Sequence, residues 1–415
     1  MESWQSIAVP KLDYALSMPS LTLTDSKTGS KNQLAKKDLY RMYVCGITPY
    51  DATHLGHAAT YLTFDLLQRY LRASGSEVNY VQNITDIDDP LLERATRDGV
   101  DWQVLAHSQI DLFRSDMVAL RVIPPAHYIG AVEAIPLVVQ AIQGLASKGT
   151  TYLIEDDLYF ANGACSDFGS LSHLSKKEME TIFSQRGGDP TLIGKKDSLD
   201  CLVWMAQRPG EPGWDSELGK GRPGWHIECT AIANQYLSPD SENPELIDIQ
   251  GGGSDLIFPH HEMCRSQATV LTGKELASTY VHAGMLGLDG EKMSKSKGNL
   301  VFVSTLLAEG VDPMVIRYAL MMEHYHRDRM WTNEVLLQAQ NEINNLRTAL
   351  SMQHVESAET VMSEVVSALA NDLDTPSALH ALQSWATRSQ KGSGGGDSIT
   401  LRNFLDALLG LEFQL

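Results

Sequence analysis

From His57 to Ala73 the apolar positions Ala58, Tyr61, Leu62, Leu66, Tyr70 and Leu71 recur at the spacing of one helical face, and Gly75 ends the pattern. Ahead of it, "DLYRMYVCG" is rich in Tyr, Val and Met and stops at Gly46, which predicts a strand. "EVNYVQNIT" predicts a second strand. A strand, a glycine turn, a helix and another strand make a βαβ unit, and hence a parallel sheet. Helical patterns follow between Pro90 and Lys148. "TTYLIEDDLYFA" predicts a hairpin inserted into the α/β pattern, and "QRGGDP", residues 185–190, a loop. "LIDIQGGGSD" is an apolar run ended by glycines, the pattern of a buried strand that meets a ligand at its carboxyl end. After Asn299 the pattern is helical to the end, broken by "KGSGGGDS", 391–398, which predicts a flexible linker before the last helix. Residues 1–37 are polar and mixed and predict a surface lead-in.

The 415 residues leave room for two or three domains with a sizeable core. A net charge of −19 disfavours a large nucleic-acid footprint, though it leaves a local basic patch open. "MESWQSIAVP" has neither a basic start nor an apolar stretch, so no export signal is expected. No apolar run reaches membrane-spanning length, so no membrane partner is expected. Cysteines 45, 165, 201, 229 and 264 are odd in number and scattered, unlike a disulfide framework. They fit a reducing cytoplasm, with thiols free or bound to metal.

"HLGH", 54–57, falls where the first strand turns into a helix. A helix N-terminus presents unpaired N–H groups and a positive dipole end, which suit a phosphate. Gly56 lets a nucleotide approach the backbone, and histidines donate to phosphate oxygens as charge develops. Alone, four residues read more often as ordinary histidines at a helix cap. Far downstream, "KMSKSKGN", 292–299, sets three lysines and two serines in a polar loop. A lysine loop suits adenylation, because the pentavalent α-phosphate and the departing pyrophosphate both gain from cations at the transition state. The pair resembles the class I aminoacyl-tRNA synthetases.

Two remote stretches supply candidate partners for Cys45: "GWHIECTAI" with Cys229, and "FPHHEMCRS" with His260, His261 and Cys264. Cys and His are zinc ligands, and His260 and Cys264 share a helical face. Spacing alone leaves buried, inert cysteines as an equal alternative. The runs "YVCG", "HLGHAATY", "YVQNITDIDD", "GRPGWHIEC", "GGGSDL", "FPHHE" and "EKMSKSKGN" resemble the cysteinyl-tRNA synthetases over roughly residues 40–330. That resemblance implies one Zn2+ per chain that binds the substrate thiol, held by Cys45, Cys229 and His260. Where that family has a fourth, glutamate ligand, this chain has Cys264.

Only 119 residues follow Ser296, and residues 331–415 carry 4 Lys or Arg against 10 Asp or Glu, although a tRNA-binding tail should be basic. Together with "RGGDP", these features resemble the cysteine:glucosaminyl-inositol ligases of mycothiol biosynthesis, over essentially the whole chain. That resemblance implies an α/β fold: a Rossmann-like parallel sheet of the class I aminoacyl-tRNA synthetase type, with an inserted connective region and a C-terminal helical domain. The expected divisions are a lead-in at 1–37, catalytic halves at 38–120 and 201–300, the insert at 121–200 and the helical domain at 301–415. The resemblance implies that L-cysteine and ATP, with Mg2+, give cysteinyl-adenylate, which the amine of glucosaminyl-inositol then attacks to release AMP. His54, His57, Lys292 and Lys295 would be catalytic. Cys45, Gly46, Ile47, Thr48, Thr60, Asn83, Ile84, Thr85, Trp225, Gly253, Ser254, Asp255 and Leu286 would line the adenylate and cysteine pocket. Thr60 and Leu286 read equally well as plain packing. Asp86, Asp88 and Asp89 are either a base for the amine or caps of the next helix. Arg186, Asp189 and the hairpin are expected to help shape the amino-sugar pocket. No tRNA partner is expected, and the chain is expected to be a monomer. Two rivals remain: a cysteinyl-tRNA synthetase lacking its anticodon domain, disfavoured by the acidic tail, and a non-catalytic cysteine- or nucleotide-binding zinc protein, disfavoured by the intact HLGH and KMSKS.

Overall fold

The computed structural model describes residues 1–415 except 13–15, 52, 239–242, 289, 294–297, 393 and 414–415. Five parallel strands form the central sheet, in the order Glu275–Ala283, Glu245–Gly253, Leu39–Val44, Glu77–Ile84, His127–Gly130. The earliest of these five in the chain, Leu39–Val44, lies in the middle. Later strands are added first on one side and then on the other, so the order reverses between Leu39–Val44 and Glu245–Gly253. A doubly wound sheet opens its ligand crevice at that point, beyond the carboxyl ends of the strands. Both predicted strands and the buried glycine-ended strand are present. Val44 is paired with Gly251 on one side and Gln82 on the other, so Cys45 and Gly253 leave the sheet close together.

The helix Leu55–Ala73 follows the first strand, and Gly75 takes a left-handed turn after it (φ 91°). Its apolar stripe was legible, but it is buried on nearly every side. The second face packs under the C-terminal helices, which bury Asp65, Arg69 and Arg317 completely. Asp65 pairs with both arginines. Arg317 also donates to Leu409 O (2.6 Å) and Leu120 O (2.6 Å), and Arg69 to Arg121 O (2.7 Å). A charge is tolerated in a dry interior only when paired and hydrogen-bonded in this way. The helices Pro313–Met321, Asn333–Leu350, Ala358–Ala370, Thr375–Gln390 and Ile399–Leu409 complete the helical end of the chain.

The insert is an antiparallel sheet of Thr151–Ile154, Asp157–Phe160, Cys201–Ala206 and Gly221–Pro223, with the predicted hairpin as its first two strands. It draws strands from both sides of residue 200.

Two expectations are corrected. Residues 1–37 are not a surface lead-in. Trp4 is buried edge-on against Phe113 and Tyr128 and donates to Val122 O (2.8 Å), and Leu21, Leu23 and Leu34 join the main core around the hairpin Thr22–Asp25/Ser30–Gln33. Among its described residues, the stretch 391–398 is tied to the fold and is not a free linker. Gly396 and Val355 exchange backbone hydrogen bonds (3.1 and 2.9 Å), and backbone pairing of this kind needs no side chains. Among the described residues, no helix is long and apolar enough to cross a membrane.

Candidate active site

A cleft of about 490 Å³ opens at the reversal of strand order. Gly46 crosses so close to the neighbouring strand that a Cβ would lie 1.7 Å from Asn83 O, so only glycine fits. Its N–H is held by Asn83 Oδ1 (2.8 Å), and Thr85 N donates to Ile47 O (3.0 Å). Asn83 Nδ2 in turn reaches Thr85 Oγ1 (3.2 Å). Asn83–Thr85 therefore stand buried one layer behind the wall and fix its shape.

The helix start at the other end is capped by a histidine. His54 has extended φ/ψ, and its Nδ1 accepts from Gly56 N (3.1 Å). The His54 and His57 ring centroids lie 3.7 Å apart, with the rings tilted by 32°. A Cβ on Gly56 would fall 2.8 Å from the His54 ring, which explains the glycine between them. This turn is stitched to the segment that follows the lysine motif: Leu55 N donates to Val301 O (2.8 Å) and Val303 N to Thr53 O (3.1 Å). Glu291–Lys292 is a short strand paired with Leu286–Leu288. Lys295 lies outside the described residues.

The cleft ends in a dry cluster of sulfur and imidazole. Cys45 Sγ is 3.7 Å from Cys229 Sγ and 3.2 Å from His261 Nε2. His260 Nε2 is 3.3 Å from Cys229 Sγ and 3.8 Å from Cys264 Sγ. The ligand atoms of Cys45, His260 and His261 lie within 4.8 Å of one another, a group able to hold a metal ion. Burial pushes Cys45 and Cys264 well above the usual thiol range. Against the desolvation of its own burial, hydrogen bonds from Cys264 and Cys45 and the nearby His260 hold Cys229 well below that range. Burial also pushes His226 and His261 well down, so both are neutral imidazoles. A cluster of thiol and imidazole donors fits a soft or borderline divalent ion, and not Mg2+ or Ca2+. Behind the cluster, His261 Nδ1 meets His282 Nε2 (2.7 Å), and His282 Nδ1 meets Ser26 Oγ (2.7 Å). Burial pushes His282 down to about 3.

Among the predicted site residues, Cys45–Thr48, His54, His57, Thr60, Trp225, Gly253, Asp255 and Leu286 line the cleft. Thr60 also bonds its own helix at Gly56 O (3.1 Å). Trp225 faces the cleft with its ring 4.6 Å from that of His260, so it stands between the open space and the thiol cluster. Ser254 begins a single turn, Ser254–Leu256, beside the wall. Cys229 and His260 lie in the cluster rather than on the open wall. The three aspartates have structural duties: Asp88 caps the helix Asp89–Asp98 through Asp89 N (2.9 Å), Asp86 accepts from Val132 N (2.9 Å), and Asp89 pairs with Arg222. Sequence reasoning missed Gln250, whose Nε2 reaches Cys45 Sγ (3.4 Å) and His261 Nε2 (3.2 Å). A lone amide inside a buried apolar strand was the available signal. It also missed Tyr50, Met285, Met293 and Leu300, which are part of the wall.

The parallel sheet, the switch-point cleft and the helix-start histidines define a class I aminoacyl-tRNA synthetase type of catalytic domain. The family described as "tRNA synthetases class I (C) catalytic domain" matches residues 31–341. The fold is similar to that of methionyl-tRNA synthetase from Mycobacterium tuberculosis in complex with methionyl-adenylate (TM-score 0.63, 17% identity, 90% of this chain and 88% of that one). Over the full length the chain is similar to proteins named L-cysteine:1D-myo-inositol 2-amino-2-deoxy-alpha-D-glucopyranoside ligase. It is 52% identical to those of Thermomonospora curvata and Streptomyces coelicolor and 50% identical to that of Nocardia farcinica, covering 99% of this chain and 100% of each relative. The chain belongs to this ligase family.

Proposed function

We propose that the protein joins L-cysteine to the amine of 1D-myo-inositol 2-amino-2-deoxy-α-D-glucopyranoside, the ligation of mycothiol biosynthesis, at the expense of ATP. The observation that carries this reading is the full-length match, at 50–52% identity, to relatives named for that ligation. The geometry supports it. A thiol-binding end and a phosphate-binding end share one cleft, so the cysteine carboxylate and the ATP α-phosphate are brought together, and positioning supplies much of the rate. The carboxylate oxygen attacks the α-phosphorus, pyrophosphate leaves, and cysteinyl-adenylate forms. The neutral amine then attacks the acyl carbon, loses its proton, and expels AMP.

His54, His57 and the amides at the helix start face the phosphates, with Lys292 and Lys295 as the cations of the second motif. Gly253, Ser254 and Asp255 take the nucleoside side, and Trp225 covers the cysteine side. Cys45, Cys229 and His260 are the residues that would hold zinc, with His261 and Cys264 at hand. When bound, zinc stabilises a substrate thiolate and leaves a serine hydroxyl poorly bound. Mg2+ would accompany ATP. Residues 331–415 carry 10 Asp or Glu against 4 Lys or Arg, a balance that disfavours a tRNA-binding role for the C-terminal helices. The test is isotope exchange between pyrophosphate and ATP. Exchange should require cysteine and fail with serine, and the amino sugar should convert it into AMP release. Absence of cysteine-dependent exchange would contradict the proposal.

A further inference from the structure

We propose that the inserted region clamps the nucleotide side of the cleft and that Arg186 is its positioning residue. This rests on the adenylate-forming reading above. The sequence leads to an expectation that Arg186 helps shape the amino-sugar pocket; in the structure its guanidinium meets main-chain carbonyls of the loop that follows Gly253.

The helix Lys176–Gln185 is anchored at its start by a reciprocal Ser175–Glu178 capping box and ends at Arg186. Gly187 turns the chain at φ 84°. Gly188 then packs so tightly that a Cβ would lie 2.4 Å from the Phe183 ring, while its N–H bonds Phe183 O (2.9 Å). This turn, which only glycines permit, aims Arg186 inward. Its Nη1 donates to the main-chain carbonyls of Phe258 (2.7 Å) and Asp255. Those carbonyls belong to the loop whose Gly253, Asp255 and Leu256 line the cleft. The loop is one short turn, Ser254–Leu256, and Phe258 departs from helical geometry (φ −135°, ψ 136°), so it has no long helical ladder of its own. The far end of the segment is held separately. Glu262, fully buried, accepts from Gly169 N (2.9 Å), Leu171 N (3.1 Å) and Ser172 N (2.8 Å), just beyond His260 and His261. The insert therefore holds the nucleotide half through Arg186 and the thiol half through Glu262.

Two independent stitches predict a split in the kinetics. In cysteine-dependent exchange, Arg186→Ala should raise KM for ATP about tenfold, as expected for losing a charge-assisted bond, while KM for cysteine moves by less than about threefold. Added guanidinium ion should bring the ATP KM of Arg186→Ala back toward wild type. Arg186→Lys should fall between the two, because one ammonium cannot reproduce the planar fork. Lys176→Ala, at the start of the same helix, breaks only a surface pair with Asp197 and should change neither KM. If Arg186→Ala does not fold, Arg186→Lys with a native circular dichroism spectrum carries the test. Folded variants with both KM values unchanged, or both raised equally, would overturn the clamp. A wild-type protein without cysteine-dependent exchange would instead refute the adenylate reading on which it rests.

Discussion

The two ends of the cleft are built from different materials. The thiol end is made of side chains and is dry: Cys45, Cys229, His260 and His261 are 4%, 3%, 1% and 0% exposed. The nucleotide end is made of backbone and a helix start, and His54, Gly56 and His57 are only half-buried. Recognition of a small side chain gains from a fixed, desolvated pocket, since electrostatic differences between sulfur and oxygen are largest where water is excluded. The other end must admit ATP and release pyrophosphate, so it binds through amides that remain open to solvent. Cys45 joins them: its N–H is tied to Gly251 O (3.1 Å), its sulfur faces one end, and the chain beyond it runs into HLGH.

The largest effect should come from breaking the dry end. Cys229→Ser should lower bound metal and cysteine-dependent exchange together, the latter by a factor of about 10² or more. Elemental analysis beside exchange assays reads both, and full exchange in a metal-free protein would contradict the single-pocket account. Breaking the open end should cost the chemical step and not the pocket. His57→Ala should lower the adenylation rate by about 10²–10³ with cysteine affinity and metal content intact. A matching loss of metal would mean that the two ends are not separable.

The smallest effect on activity, one read only in stability, concerns what lies beneath the open end. Asp116 is 1% exposed beside Thr53, and burial pushes it up to about 7. The folded chain keeps this proton where the unfolded chain has lost it, so stability should fall as pH rises from about 4 to about 7 and then level off. Asp116→Asn should remove that decline and be the more stable protein above pH 7, by at most ~4 kcal/mol. Melting curves at pH 5 and pH 8 decide it, and parallel pH profiles for variant and wild type would contradict it.

The sequence carried these two ends unequally. HLGH and its helix were legible because a contiguous turn and a periodic face are local features. The thiol cluster was not legible from spacing, since Cys45, Cys229 and His260 converge from three distant segments, and only family resemblance joined them. His282 was invisible for the same reason, and Gln250 offered only a lone amide inside an apolar strand. Elsewhere, Trp4, Leu21 and Leu23 are too sparse along the chain to show as a periodic face, so the N-terminal strap looked like a lead-in. Asp65, Arg69 and Arg317 look like a solvated face in sequence because pairing across 252 residues is needed to bury them. The insert's hairpin was legible by alternation, but the inward aim of Arg186 depends on a turn and a partner loop far along the chain.

The central claim is that an adenylate made at the junction of these ends goes to an amino sugar. Its most direct test is a single-turnover chase: enzyme loaded with labelled cysteine and ATP, freed of excess nucleotide, then mixed with either glucosaminyl-inositol or cysteine-accepting tRNA. The account predicts rapid transfer of label to the amino sugar with matching AMP release, and negligible label on tRNA. Transfer to tRNA as fast as to the sugar would contradict it.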